Sequence, residues 1–166
     1  MKQIRKGFFE TNSSSVHAIV INNCEPYDLS NIKAVNFSFG EFGWRKEMYK
    51  DLESRADYLW TGINHFYEED KIVEIKKKLL DWFEEDNIVA TFRKEICGAF
   101  WETGYIDHCK DLGKFLNWVL ENKDNLYQYL FAEKNFIQTG NDNGEDSQPY
   151  EGLRMRNVDD YLVFVK

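Results

Sequence analysis

This chain of 166 residues is 43% hydrophobic and 16% aromatic, which is enough apolar material for one domain with a buried core and excludes a disordered chain. Its formal net charge of −8 excludes a general DNA- or RNA-binding surface, because attraction to phosphates requires a basic face. No apolar run approaches the roughly 18 residues of a membrane-spanning helix, and no apolar signal-peptide region follows the basic first residues, so we expect a cytoplasmic protein without a membrane partner.

Alternating β-branched and aromatic residues indicate strands, and apolar residues spaced three or four apart indicate helices. The first predicted helix starts early because Met48 extends the apolar spacing that runs from Leu52 to Phe66. In chain order, the predicted elements are strands at 3–9, 15–22 and 33–39, helices at 46–66 and 71–84, a strand at 89–92 that turns near Gly98 into a second strand at 100–101, helices at about 110–121 and 124–132, and strands at 134–140 and 161–166.

The order of these elements lacks the strict strand–helix alternation of a doubly wound sheet, so it predicts an α+β fold. We expect a single domain over residues 1–166, in which a small, mostly antiparallel sheet packs with about four helices and a loose polar loop occupies about 140–157. The three cysteines are odd in number and lack CxxC spacing, so they predict free thiols.

The stretch ETNSSSVHAIVI, residues 10–21, is the first candidate site. If it is extended, Ser13, Ser15 and His17 lie on one face, with Ser15 and His17 about 7 Å apart along the strand. They could then contact one phosphate or carboxylate, or the imidazole could polarise a hydroxyl. The alternative is structural: the serines satisfy the amides of a turn and His17 is a partly buried strand residue.

A second candidate, Asp107 beside His108, precedes a predicted helix. A carboxylate can fix the tautomer of an imidazole, although adjacent side chains point apart on an extended backbone, and Asp111 has an ordinary role as the N-cap of that helix. No histidine pair has HxH or HExxH spacing, so we expect neither a metal site nor another cofactor. The candidate catalytic residues are Ser13, Ser15, His17, Asp107 and His108.

Two aromatic and acidic clusters recur 16 residues apart, FYEED at 66–70 and WFEED at 82–86. Carboxylates in the last turn of a helix oppose its macrodipole, so helix stability alone does not explain them. One interpretation is an acidic surface that meets a basic partner. The other is ordinary solvated charge, with Asp70 as the N-cap of the next helix. The carboxylates proposed to bind a partner are Glu68, Glu69, Glu84 and Glu85.

The opening sequence MKQIRKGFFETNSSSVH resembles that of a family of small proteins encoded by bacteriophages and prophages, which begin with a basic strand and then G-x-F-E-T-N-S-S-S-x-H. The resemblance implies a phage or mobile-element origin and the cytoplasm of a bacterial host, where small acidic proteins often disable defence complexes. It implies no particular reaction, but it suggests that the side chains of the motif bind something. The matching residues are Arg5, Gly7, Phe9, Glu10, Thr11, Asn12, Ser13, Ser14, Ser15 and His17.

We therefore expect a non-enzymatic, phage-type acidic protein that binds a host protein or nucleoprotein complex through a basic surface of that partner, as a counter-defence, anti-CRISPR-like inhibitor. The alternative is an enzyme that acts on a phosphate- or nucleotide-bearing substrate, as a hydrolase or an ADP-ribosyltransferase would, with Ser13 to His17 in its pocket. The chain has no glycine-rich phosphate loop and no G-x-S-x-G elbow, so motifs favour neither reading.

Overall fold

Four helices and a mostly antiparallel sheet make up the computed structural model, which describes residues 15–22, 26–43, 47–93, 104–106, 112–141 and 161–165. The α+β fold predicted from the order of elements is confirmed. In chain order, the elements are β1 (Ser15–Asn22), β2 (Ala34–Phe37), β3 (Glu41–Phe42), β4 (Glu47–Tyr49), α1 (Leu52–Phe66), α2 (Glu69–Glu85), β5 (Val89–Phe92), β6 (Tyr105–Ile106), α3 (Leu112–Val119), α4 (Lys123–Phe131), β7 (Phe136–Asn141) and β8 (Tyr161–Val165).

The main sheet has four strands in the order β4-β7-β1-β8, and every neighbouring pair is antiparallel. Two short parallel pairs, β2 with β5 and β3 with β6, lie outside this sheet. The parallel pairing of β5 was not predicted, because such pairs join residues that are distant in sequence. The expected strand at 3–9, the turn near Gly98, the Asp111 cap and the loop after residue 141 lie outside the described residues.

The core lies between the main sheet and α1. Ile19 and Ile21 of β1 and Leu59 and Ile63 of α1 have no exposed surface. Aromatic rings fill much of the remaining space: Tyr58 of α1 makes edge contacts with the rings of Phe42 and Phe115, at centroid distances of 4.8 and 6.2 Å. These buried, interlocking side chains hold α1 against both the sheet and α3.

The prediction of a helix from residue 46 is wrong at its start, because residues 47–49 form β4 and pair with β7. Met48 therefore lies on a strand, where it is 48% exposed. The helix begins at Leu52 because Asp51 caps it: its carboxylate accepts a hydrogen bond from the backbone N–H of Ser54 at 2.7 Å.

The prediction that Asp70 caps α2 is also wrong. Glu68 occupies the N-cap position, while Glu69 and Asp70 lie in the first turn of the helix. Carboxylates there face the positive end of the macrodipole, so the first acidic cluster stabilises α2. The second cluster, at the other end, retains the opposed orientation that its sequence suggests.

Candidate functional site

His17 lies in the protein core, and its side chain has no exposed surface. Its Nδ1 atom is 3.3 Å from the hydroxyl of Tyr58, and its register partner on β7 is Thr139, which is also fully buried. In the described structure a solvent-borne substrate has no exposed imidazole atom to contact. This environment matches the structural interpretation of His17, although the strand places it deeper than the partial burial expected.

The other polar residues of the opening motif are only partly described. Ser15 begins β1, where its register partner is Asn141. Asn12, Ser13 and Ser14 lie outside the described residues, and so do Asp107 and His108. The expectation that Ser13, Ser15 and His17 line one polar pocket therefore stays a prediction.

A tyrosine on the neighbouring strand has a strongly perturbed hydroxyl. Tyr49 donates a hydrogen bond to the carboxylate of Glu47. Burial, together with this contact and the negative charge of Glu47, raises the pKa of the Tyr49 phenol to about 12. The phenol is therefore protonated at neutral pH and is a hydrogen-bond donor, not a base.

Arg55 is a buried charge with a structural role. It is 5% exposed, and its Nη1 atom donates to the carbonyls of Tyr129 at 3.1 Å and Ala132 at 2.7 Å. The Tyr129 hydroxyl donates in return to the Arg55 carbonyl at 2.8 Å. Burial lowers the pKa of the Arg55 guanidinium. These contacts satisfy carbonyls at the end of α4 and fix that helix to α1.

The four carboxylates proposed to bind a partner do not form one patch. All four are exposed, but they lie at opposite ends of α2, and Glu69 and Glu84 are about 22 Å apart along the helix axis. Glu85 is engaged with Lys123, whose Nζ atom lies 2.8 Å from its carboxylate. A single partner surface would have to extend along the whole helix to meet both ends.

A groove of about 770 Å³ lies between the outer face of α2 and the start of β5. Three exposed apolar side chains line it: Val73 is 63% exposed, Leu80 39% and Val89 61%. The buried side chain of Ile88 also belongs to its lining. We call this feature the α2–β5 groove. Concave apolar surface exposed to water is typical of binding sites.

The groove results from the two-sided pattern of α2. Ile75, Leu79 and Phe83 form its buried stripe, whereas Val73 and Leu80 lie on the opposite, otherwise charged face. Two apolar residues outside the buried stripe were the signal available in the sequence, and the prediction of the helix did not use it.

The turn that ends α2 places β5 beside it. Asn87 has a φ of 57°, in the left-handed region that asparagine tolerates better than most residues. Its N–H donates to the Glu84 carbonyl at 3.0 Å, and the N–H of Ile88 donates to the Phe83 carbonyl at 2.9 Å. This pair of bonds is a Schellman motif, which reverses the chain so that β5 runs back along α2.

Charge is distributed unevenly along the groove. The Nζ atom of Lys76 lies 5.4 Å from the ring centroid of Phe92, so the lysine marks the end of β5. Asp81 and Glu84 lie further along α2, toward the start of β5. The groove is thus acidic near Val89 and basic near Phe92.

One edge of β5 faces away from its partner strand. The N–H groups of Val89 and Arg93 donate to the carbonyls of Lys33 at 3.0 Å and Phe37 at 2.8 Å, both toward β2. Because backbone groups alternate along a strand, the N–H groups of Ala90 and Phe92 point to the other edge. Within the described ranges no strand pairs with that edge.

The fold and the groove together define an α+β protein with one exposed apolar cleft. No family model, curated protein or solved structure matches the chain. In the part of the chain that the structure describes, no three His, Cys, Asp or Glu side chains are grouped to hold a metal ion. No described helix combines the length and apolar character needed to cross a membrane.

Proposed function

We propose that this chain is a non-enzymatic protein-binding domain and that its partner docks in the α2–β5 groove. The observation that carries the proposal is the exposure of Val73, Leu80 and Val89 around one concavity. Burying apolar surface contributes about 25 cal/mol per Å², so a partner that covers these side chains gains affinity from the same term that stabilises a core.

The class of partner follows from the resemblance of residues 1–17 to phage proteins. We propose a host protein or complex as the partner, and a counter-defence, anti-CRISPR-like inhibition as the consequence of binding. The net charge of −8 supports this class of partner, because it favours approach to basic proteins, including those that hold nucleic acid.

The burial of His17 weighs against the enzymatic alternative. A general base needs to come within hydrogen-bond distance of its substrate, and this imidazole has no exposed surface. The buried hydroxyl of Tyr58 beside it, at 3.3 Å, is satisfied by a packing role in the core.

Capture from a bacterial lysate on the immobilised protein tests the proposal when two matched variants accompany it. Val73→Asp places a charge in the groove, and Met48→Asp places the same charge on an exposed apolar residue of β4. We expect mass spectrometry to identify proteins that the parent and Met48→Asp retain and Val73→Asp loses.

Both substitutions are at exposed positions, so the melting temperatures of the variants should stay close to that of the parent. A Val73→Asp variant that folds and captures the same proteins in the same amounts as the parent would show that the groove is not the docking site.

A further inference from the structure

We infer that the occupant of the α2–β5 groove is an extended segment of the partner that adds to the free edge of β5 as a third strand, with a basic side chain near Val89 and an acidic side chain near Phe92. This inference rests on the proposed function and names the form in which the partner binds.

The first argument is the backbone of β5. The N–H groups of Ala90 and Phe92 point away from β2, toward the edge that borders the groove. An extended segment satisfies such a row of groups through a strand ladder, whereas a helix has already used its own backbone groups internally. Strand addition therefore joins both walls of the groove, the polar edge and the apolar helix face.

The second argument is spacing. Val73 and Leu80 are separated by seven residues of α2, which is about 10 Å along the helix axis. Alternate side chains of a strand lie about 7 Å apart. Two apolar side chains at positions i and i+2 of the bound segment consequently fit between these two residues.

The third argument is charge. Lys76 lies above Phe92 at the end of β5, and Asp81 and Glu84 line the groove toward its start. No described side chain forms an ion pair with Asp81 or Glu84. A segment with a basic residue at one end and an acidic residue at the other complements this distribution and can bind in one direction only.

A second copy of this chain fits less well than a segment of another protein. Two copies, each with a net charge of −8, repel one another. A twofold contact would also set one concave groove against another and leave the apolar side chains of both incompletely covered.

Selection from a displayed library of random short peptides tests the inference on the intact chain. We expect the selected peptides to share apolar residues at alternate positions, with a basic residue toward one end and an acidic residue toward the other. On binding, amide hydrogen exchange should slow at Ala90 and Phe92, because their N–H groups become donors in the new ladder.

Two alanine-to-proline variants isolate the strand edge. Ala90→Pro removes an N–H that points away from β2, and proline is tolerated at such edge positions. Ala34→Pro is the matched control, since Ala34 lies in the same two-stranded pair but its N–H points away from β5. We expect the selected peptide to bind Ala90→Pro about tenfold more weakly than the parent, and Ala34→Pro with unchanged affinity.

Methylated peptides give the same information without altering the protein. Methylating the backbone nitrogens at one set of alternate positions should abolish binding to the parent, and methylating the other set should not. This experiment decides the inference even if Ala90→Pro does not fold.

Several results would overturn strand addition. These are equal binding of both methylated peptides, selected peptides whose apolar residues recur every three or four positions, failure to select any peptide that discriminates Val73→Asp from the parent, and a concentration-dependent dimer that Ala90→Pro abolishes. Peptides with helical spacing that still fail to bind Val73→Asp would leave the groove as the docking site, so the proposed function would survive.

Discussion

Single residues in this protein take their roles from depth rather than from type. His17, Tyr58 and Arg55 carry groups that serve catalysis in other settings, yet all three are buried and hydrogen-bonded within the core. Val73 and Leu80 are chemically plain, but they are exposed in a groove and therefore available to a partner. Residue type alone would rank these two groups in the opposite order.

At the residue scale, we predict that His17→Ala lowers the free energy of unfolding by about 2–4 kcal/mol, because it leaves a cavity and removes a buried hydrogen-bond partner of Tyr58. Urea denaturation measures this change. The matched control is His65→Ala on the exposed side of α1, where only a contact with the Gly104 carbonyl is lost and the change should stay below about 1 kcal/mol. A His17→Ala protein of normal stability would instead return the imidazole to the list of functional candidates.

At the scale of elements, the helix ends are where local chemistry acts most strongly. Asn122 caps α4 through the N–H of Asn125 at 2.8 Å, and Asp51 caps α1. The end of α2 is less favourable, because Glu84 and Glu85 oppose the macrodipole there. Lys123 compensates by pairing with Glu85 at 2.8 Å and Asp86 at 3.0 Å.

Asp51 supports a prediction about pH. Partial burial would raise its pKa, but hydrogen bonds from the N–H and hydroxyl of Ser54 outweigh burial and lower the pKa below the usual 3.8. A carboxyl with a lower pKa in the folded state stabilises the protein above its unfolded pKa, and this contribution is lost as the pH falls through the folded pKa.

We therefore predict that Asp51→Ala lowers the free energy of unfolding by about 1 kcal/mol at neutral pH and that its difference from the parent shrinks below about pH 4. Urea denaturation at a series of pH values measures both effects. Asp51→Asn retains the capping oxygen, so at neutral pH it should keep most of the stability. A difference between Asp51→Ala and the parent that is constant down to low pH would refute the role of the ionised cap.

At the scale of the whole molecule, the negative charge is spread along α2 and is not gathered in one patch. The carboxylates at the start of the helix stabilise it, whereas Glu84 lines the α2–β5 groove. Charge in this protein thus has two roles, and the distance along one helix separates them.

This separation predicts different effects for two equivalent charge reversals. Glu84→Lys should weaken capture of the partner by about an order of magnitude, because it repels the basic residue that the acidic end of the groove is proposed to bind. Glu68→Lys makes the same change in net charge at the far end of α2 and should leave capture nearly unchanged. The comparison is made by biosensor titration at several salt concentrations, and binding of the parent should weaken as salt rises. Equal losses for the two variants would point to long-range attraction alone.

Helices and long strands of this protein follow from sequence because their signals are local. The apolar spacing of α2 and the alternating β-branched residues of β1 predict both elements to within two residues of the observed bounds. The same spacing failed at Met48, since pairing with β7 drew residues 47–49 into a strand although they continue a helical pattern. Local patterns describe a chain by itself, and that pairing depends on residues about 90 positions away.

The candidate site was decided almost entirely by tertiary structure. Periodicity identifies which residues of α2 share a face, but it does not say that Val73 and Leu80 remain uncovered or that β5 returns beside them. The depth of His17 was equally invisible, because a strand residue is buried only when a helix such as α1 covers its face of the sheet. By itself, then, the sequence determined the elements, the α+β class and the acidic character of this protein. Only the packing of distant segments decided which side chains are buried and which meet a partner, because burial is a property of the surfaces that come together in the fold.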